Sequence, residues 1–112
     1  MMDLWTEITE TLELLDTALA EAKRRGQAMV EAEAAYYTAK DTEAFRLKDM
    51  GEPVTFIQTV IKGQPGVVEK LEAYHRAQVE YENAREARNC YKKRLDTLRE
   101  EYSREWGRVS EE

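Results

Sequence analysis

Cysteine is nearly absent from this chain, and the single one, Cys90, excludes an intrachain disulfide and fits a reducing compartment. Histidine is equally scarce: His75 is the only one. The two lie on one continuous helical pattern, where helix rise alone separates them by more than about 20 Å. They therefore cannot act as a nucleophile and its base within one chain. Cys90 is expected as a small buried residue on a helix flank. No apolar run approaches the roughly 20 residues that a bilayer span requires. The start, Met1-Met2-Asp3-Leu4-Trp5, has no basic leader followed by an apolar stretch, so no secretion signal is expected. Basic residues are outnumbered, 17 against 23 acids, and the net charge of −6 argues against a protein that coats DNA or anionic membrane. These absences lead to the expectation of a cytoplasmic protein that is not an enzyme, holds no cofactor and does not enter membrane.

Breakers are few as well, with two prolines and five glycines in 112 residues. What fills the chain instead is Ala, Glu, Leu, Lys and Arg, the composition of long helices and coiled coils. Six tyrosines and two tryptophans make it too aromatic for a disordered chain. Residues 1–56 hold 12 acids and 6 bases, whereas residues 57–112 hold 11 of each. An acidic arm pairing with a neutral, base-rich arm is favoured by that division.

From Asp3 to about Asp49 the apolar and small residues recur at Ile8, Leu12, Leu15, Leu19, Ala22, Gly26 and Met29, then Ala32, Tyr36 and Ala39. Steps of four and three mark the seam of a coiled coil. Gly26 costs about 1 kcal/mol relative to Ala inside a helix, so something bulky, or a close backbone, is expected opposite it. A second pattern runs from near Val67 to about Val109 through Leu71, Tyr74, Ala77, Tyr81, Ala84, Ala87 with Arg88, Tyr91, Leu95, Leu98, Tyr102 and Trp106. Each long helix would measure roughly 65 Å.

Between them, Gly51 and Pro53 end the first helix, and Gly63-Gln64-Pro65-Gly66 is a turn. Ile57, Val60 and Ile61 follow helical spacing, with Thr55 available as a cap and Gly63 as a stop. The expected fold is all-α: a long antiparallel, coiled-coil-like helical hairpin in one domain spanning 1–112. Its helices cover about 3–49 and about 66–109, with a short helix at about 55–62 in the connection. A register in which facing residue numbers sum to about 113 sets Leu15 against Leu98 and Gly26 against Ala87. It also sets Ala32 against Tyr81 and brings Trp5 near Trp106, pairing large with small along the seam.

A lone hairpin leaves the outer faces wet and makes a thin core. The loop half carries a second apolar set: Val30, Ala34, Tyr37 and Ala44 on the first helix, Val68, His75 and Val79 on the second, and Phe56, Ile57, Val60 and Ile61 between. The open half shows Lys23-Arg24-Arg25 and Lys92-Lys93-Arg94 instead of such a stripe. Extra apolar surface marks association, so a homodimer with a four-helix core is expected through those residues.

Glu72 and His75 form a Glu-x-x-His pair on one helical face, as in di-metal carboxylate bundles, with Asp41 or Glu43 as further donors from a second helix. A solvated Glu beside a half-buried His accounts for the same spacing in a chain this rich in acids. Lys48, Lys62, Lys70 and Arg76 gather near the loop, but Asp41, Glu43, Asp49, Glu52, Glu69 and Glu72 cancel them. No zinc-ligand spacing, glycine-rich phosphate loop or stacking motif accompanies them, and a salt-bridged solvated face is the plainer account. A nucleic-acid- or nuclease-binding factor is therefore the second expectation, behind protein–protein interaction.

Three stretches carry a resemblance: Leu4-Trp5-x-x-Ile8, then Gly51-x-Pro53-Val54-Thr55-x-Ile57 with Lys62-Gly63, and Arg104-Glu105-Trp106. Together they resemble an uncharacterised family of small all-helical phage and prophage proteins of Gram-positive bacteria, over nearly the whole chain. The resemblance implies a setting among replication and recombination genes and an unidentified protein partner, and it supplies no catalytic residues. Phage host-nuclease inhibitors of the Gam type are similar in shape alone, as dimerising helical hairpins. Secreted helical hairpins with a Trp-x-Gly turn are not matched, because Trp106-Gly107 lies far from the turn.

Overall fold

The computed structural model describes residues 3–111, with side chains described for residues 3–107. It contains two long helices, α1 (Leu4–Asp49) and α3 (Pro65–Glu111), and between them a short helix, α2 (Val54–Val60), which tightens into a 3-10 turn at Ile61–Gly63. No strand occurs among the described residues. This is the expected all-α helical hairpin, with α1 and α3 bounded within about two residues of the sequence reading.

Each boundary has a local cause. Asp3 caps α1: its carboxylate accepts the Thr6 backbone N–H at 2.7 Å. That bond, donated by the backbone of Thr6, holds the Asp3 carboxyl below the usual range. At the other end Gly51 adopts a left-handed φ of 86°. This lets its N–H reach Lys48 O at 2.9 Å and the Glu52 N–H reach Leu47 O at 3.1 Å, the paired closing bonds of a Schellman motif. Pro53, with φ −64° and ψ 148°, then opens α2. The expected cap at Thr55 is not formed: Thr55 lies inside α2, and no side chain caps that helix. Proline pre-sets the entry dihedral there and has no N–H to satisfy. Pro65 likewise occupies the first position of α3, where a missing N–H costs nothing.

The chain divides into two compact units. The terminal unit comprises α1 up to Arg24 and α3 from Glu82 onward. Its core is Ile8, Leu15, Leu95 and Leu98, with Leu4, Tyr91 and Tyr102 packed against them. The buried line on α1 runs Ile8, Thr11, Leu15, Ala18 and Ala22. The expected seam positions Leu12 and Leu19 are instead partly exposed, and Thr11 is only 1% exposed. Both lines satisfy three–four spacing; small Thr11 and Ala18 let the helices approach closely, which turns the two leucines to the flank. Trp5 tilts onto Tyr102 with ring centroids 6.0 Å apart, and Tyr102 meets Trp106 edge-on at 6.1 Å. Trp5 thus contacts Tyr102 where Trp106 was expected. Cys90 is exposed rather than buried, because the inward line of α3 passes through its neighbour Tyr91.

The loop unit is Arg25–Tyr81. Gly26 faces the Tyr81 ring so closely that an added Cβ would sit 3.1 Å from Tyr81 Cε2. A bulky group opposite Gly26 is what the sequence implied, but the partner is Tyr81 and not Ala87, and Tyr81 is not opposite Ala32. Tyr74 confirms the shift, donating a hydrogen bond to Glu33 Oε2 at 3.2 Å and stacking on Tyr36 at 6.5 Å. The register is therefore slid by six positions on α3, nearly one heptad. The cause lies at the loop. The last turns of α1 are covered by α2, through a core of Leu47, Ile57 and Ile61 with Ala44 and Val60 against it. Helix α3 joins the seam only at Val67, which is 1% exposed.

Candidate interaction surface

In the loop unit the inward residues are Met29, Glu33 and Tyr36 on α1, and Val67, Leu71, Tyr74, Gln78 and Tyr81 on α3, all buried or half-buried. Each residue of an α-helix turns about 100° from the last. On two antiparallel right-handed helices, positions one step past the inward line therefore turn to the same side. Those positions are Val30, Ala34 and Tyr37 on α1, and Val68, Glu72, His75 and Val79 on α3. Ring contacts agree with that geometry: Tyr36 meets Tyr37 at 5.3 Å, and Tyr74 meets His75 at 6.0 Å. Val30, Ala34, Tyr37, His75 and Val79 are exposed, and Val68 is half-buried. The predicted set on the two long helices thus lies on one side of the loop unit, except for Ala44, which is half-buried against Leu47, Ile57 and Ile61.

The predicted set on the short helix divides. Phe56 is exposed and Val60 half-buried, but Ile57 and Ile61 are buried against Leu47. Their helical spacing was legible; the sequence could not show that the end of α1 would use them as its own cover. They hold α2 in place against the end of α1. The expectation of no apolar surface in the open half also needs correction. Trp5, Leu12, Leu14, Leu19 and Trp106 are exposed in the terminal unit, the leucines because the inward line runs through Thr11 and Ala18.

Three exposed apolar residues of the loop unit were not singled out from the sequence: Phe45, Met50 and Val54. Phe45 is 66% exposed and continues the row Val30, Ala34, Tyr37, Asp41 at the same three–four spacing. That signal was present, but Ala44 and Phe45 fit the next step equally well. Asp41, Ala44, Phe45 and Lys48 on α1, with Val54, Ile57 and Gln58 on α2, line an open cleft of about 320 Å³. On the same stretch of α1, Glu43 and Arg46 pair with each other, and the Arg46 hydrogen bond holds the Glu43 carboxyl low. The side chains of Asp41 and Lys48, on the cleft, have no ion pair or hydrogen bond among the described residues.

Glu72 and His75 do share a face, beside Arg76 and Val79. A guanidinium there opposes a bound cation, and Glu43 is occupied by Arg46. Among the described residues no group of three or more His, Cys, Asp or Glu comes together as metal ligands would. Burial, followed by the Glu33 hydrogen bond, pushes the Tyr74 hydroxyl above its ordinary value, so Tyr74 is a packing and hydrogen-bonding group. Among the described residues no helix is long and apolar enough to cross a membrane. Compared with protein-family models, curated proteins and solved structures, the chain matches none of them.

Proposed function

We propose that this protein is a non-enzymatic interaction scaffold that self-associates through the apolar side of its loop unit. The observation that carries the reading is the run of exposed apolar side chains, Val30, Tyr37, Phe45, Val54 and Val79, in a unit whose own core is thin. Each large apolar side chain removed from water contributes about 1.5–3 kcal/mol, and two-fold pairing counts each contact twice. A second copy of the chain is the fitting occupant, because the cleft is bordered by one unpaired acid and one unpaired base that neutralise each other between copies. The wider setting, cytoplasmic and accessory to phage DNA replication or recombination through a further protein, rests on the Leu4-Trp5, Gly51-x-Pro53-Val54-Thr55 and Arg104-Glu105-Trp106 stretches.

Sedimentation velocity at tens of micromolar tests the reading. The wild type should sediment as a dimer, Tyr37→Glu combined with Phe45→Glu as a monomer, and Arg94→Glu as the wild type. A wild-type monomer overturns self-association. DNA binding that weakens steeply with salt would move the reading to a nucleic-acid-binding factor.

A further inference from the structure

We infer that the dimer is built tip to tip: the two α1 helices cross antiparallel about a two-fold axis at Ala44–Phe45, placing Asp41 of each copy against Lys48 of the other. This inference rests on the self-association proposed above and assigns it a register.

The argument begins from what an isologous contact requires. Under a two-fold axis a surface must be its own complement, each feature meeting a different feature of an identical copy. Along the α1 border of the cleft the order is Asp41, Ala44–Phe45 and Lys48, which is acid, apolar, base. Reversed, the row matches itself in shape and opposes itself in charge. Asp41 and Lys48 lie three positions before Ala44 and three after Phe45, so an axis between those two residues brings both charge pairs together at once. Phe45 is 66% exposed in the single chain and enters the partner cleft formed by Ala44, Val54 and Ile57.

Pairing within the chain supports the same register. Glu43 and Arg46 sit between Asp41 and Lys48 on the same helix and are joined to each other. Asp41 and Lys48 stand seven residues apart, about 10 Å along the axis, and are too distant to join in one chain. Both side chains border the apolar cleft with no partner among the described residues. Two ion pairs flanking a buried aromatic give register and selectivity more than raw affinity, which is what a small self-complementary tip requires. Other axes pair this row less well. An axis at Tyr37 sets Ala34 against Lys40 or Asp41 and leaves Lys48 opposite Gly26 or Gln27, with no acid to meet it.

Charge exchange tests the register. In Asp41→Lys the copies oppose lysines at both pairs, and in Lys48→Asp they oppose aspartates. Each variant alone should dimerise at least tenfold more weakly than wild type by sedimentation velocity, with unchanged helical circular dichroism. An equimolar mixture of the two should recover wild-type affinity as a heterodimer, and so should the double variant D41K/K48D. In a Cys90→Ser background, Phe45→Cys should form an interchain disulfide under mild oxidation, whereas Val30→Cys should not. If both single variants dimerise like wild type while Tyr37→Glu with Phe45→Glu still yields monomers, the register is overturned and self-association through this side stands. A wild-type monomer overturns both.

Discussion

At Gly26 and Arg88 the sign of the expected substitution effect is set by the surroundings of the side chain and not by helix preference. Helix propensity alone favours any side chain at position 26 over glycine by up to about 1 kcal/mol. The Tyr81 ring, 3.1 Å from where a Cβ would stand, reverses that for a large substituent. Gly26→Leu should lower the thermal midpoint, with a cost of about 1–3 kcal/mol from overpacking. A raised midpoint would mean that Tyr81 swings away freely. At Arg88 the buried Nε has no hydrogen-bond partner among the described residues. An unsatisfied buried donor costs about 1–3 kcal/mol, and Met keeps the stem length while removing the group. Arg88→Met is therefore expected to raise stability in urea denaturation, and a fall would show that the guanidinium contributes more than its unpaired nitrogen costs.

At the scale of elements, the ends of α1 are fixed by two different devices that fail under different conditions. The Asp3 cap depends on ionisation. Its pKa is depressed in the folded chain, so its contribution is present above the unfolded value and is lost as pH falls through the folded one. Amide protection in the first turn of α1, corrected for the intrinsic exchange rate at each pH, should fall on acidification through that window, and Asp3→Ala should remove the dependence. The Gly51 stop depends on backbone freedom and not on pH. Nothing lies within 4 Å of an added Cβ there, so the penalty for Gly51→Ala is the left-handed backbone itself, about 1–2 kcal/mol. Because this turn feeds directly into Pro53 and α2, the loss should appear first as faster exchange at Ile57 and Ile61. Uniform protection in that variant would show that α2 docks independently of the turn.

For the molecule as a whole the decisive quantity is register. A heptad-like seam matches its partner almost equally well after a slide of one repeat, since apolar positions return every seven residues. Here the slide is decided by α2, which takes Leu47 and Ala44 for its own core with Ile57 and Ile61. That leaves α3 to begin pairing lower on α1, and Gly26 comes to face Tyr81. Cysteines at Gly26 and Tyr81, with Cys90→Ser, should cross-link under mild oxidation, and cysteines at Gly26 and Ala87 should not. Six residues of helix separate the two alternatives by about 9 Å, beyond the reach of a disulfide. Preferential linking of the second pair would restore the unshifted register.

Two long helices, a break at Gly51–Pro53 and a short amphipathic helix before Gly63 were determined by the sequence alone, because breakers, caps and three–four spacing act within a few residues of themselves. The side of the loop unit bearing Val30, Ala34, Tyr37, His75 and Val79 was legible for the same reason, since it follows from periodicity on each helix separately. The tertiary structure alone decided the slide of α3, the inward turn of Thr11 and Ala18 in place of Leu12 and Leu19, the exposure of Cys90, and the use of Ile57 and Ile61 as cover for α1. Each of those turns on which of several nearly equivalent apolar positions meets a partner distant in the chain. Local pattern leaves such alternatives close in energy, and steric fit between side chains far apart in sequence selects among them.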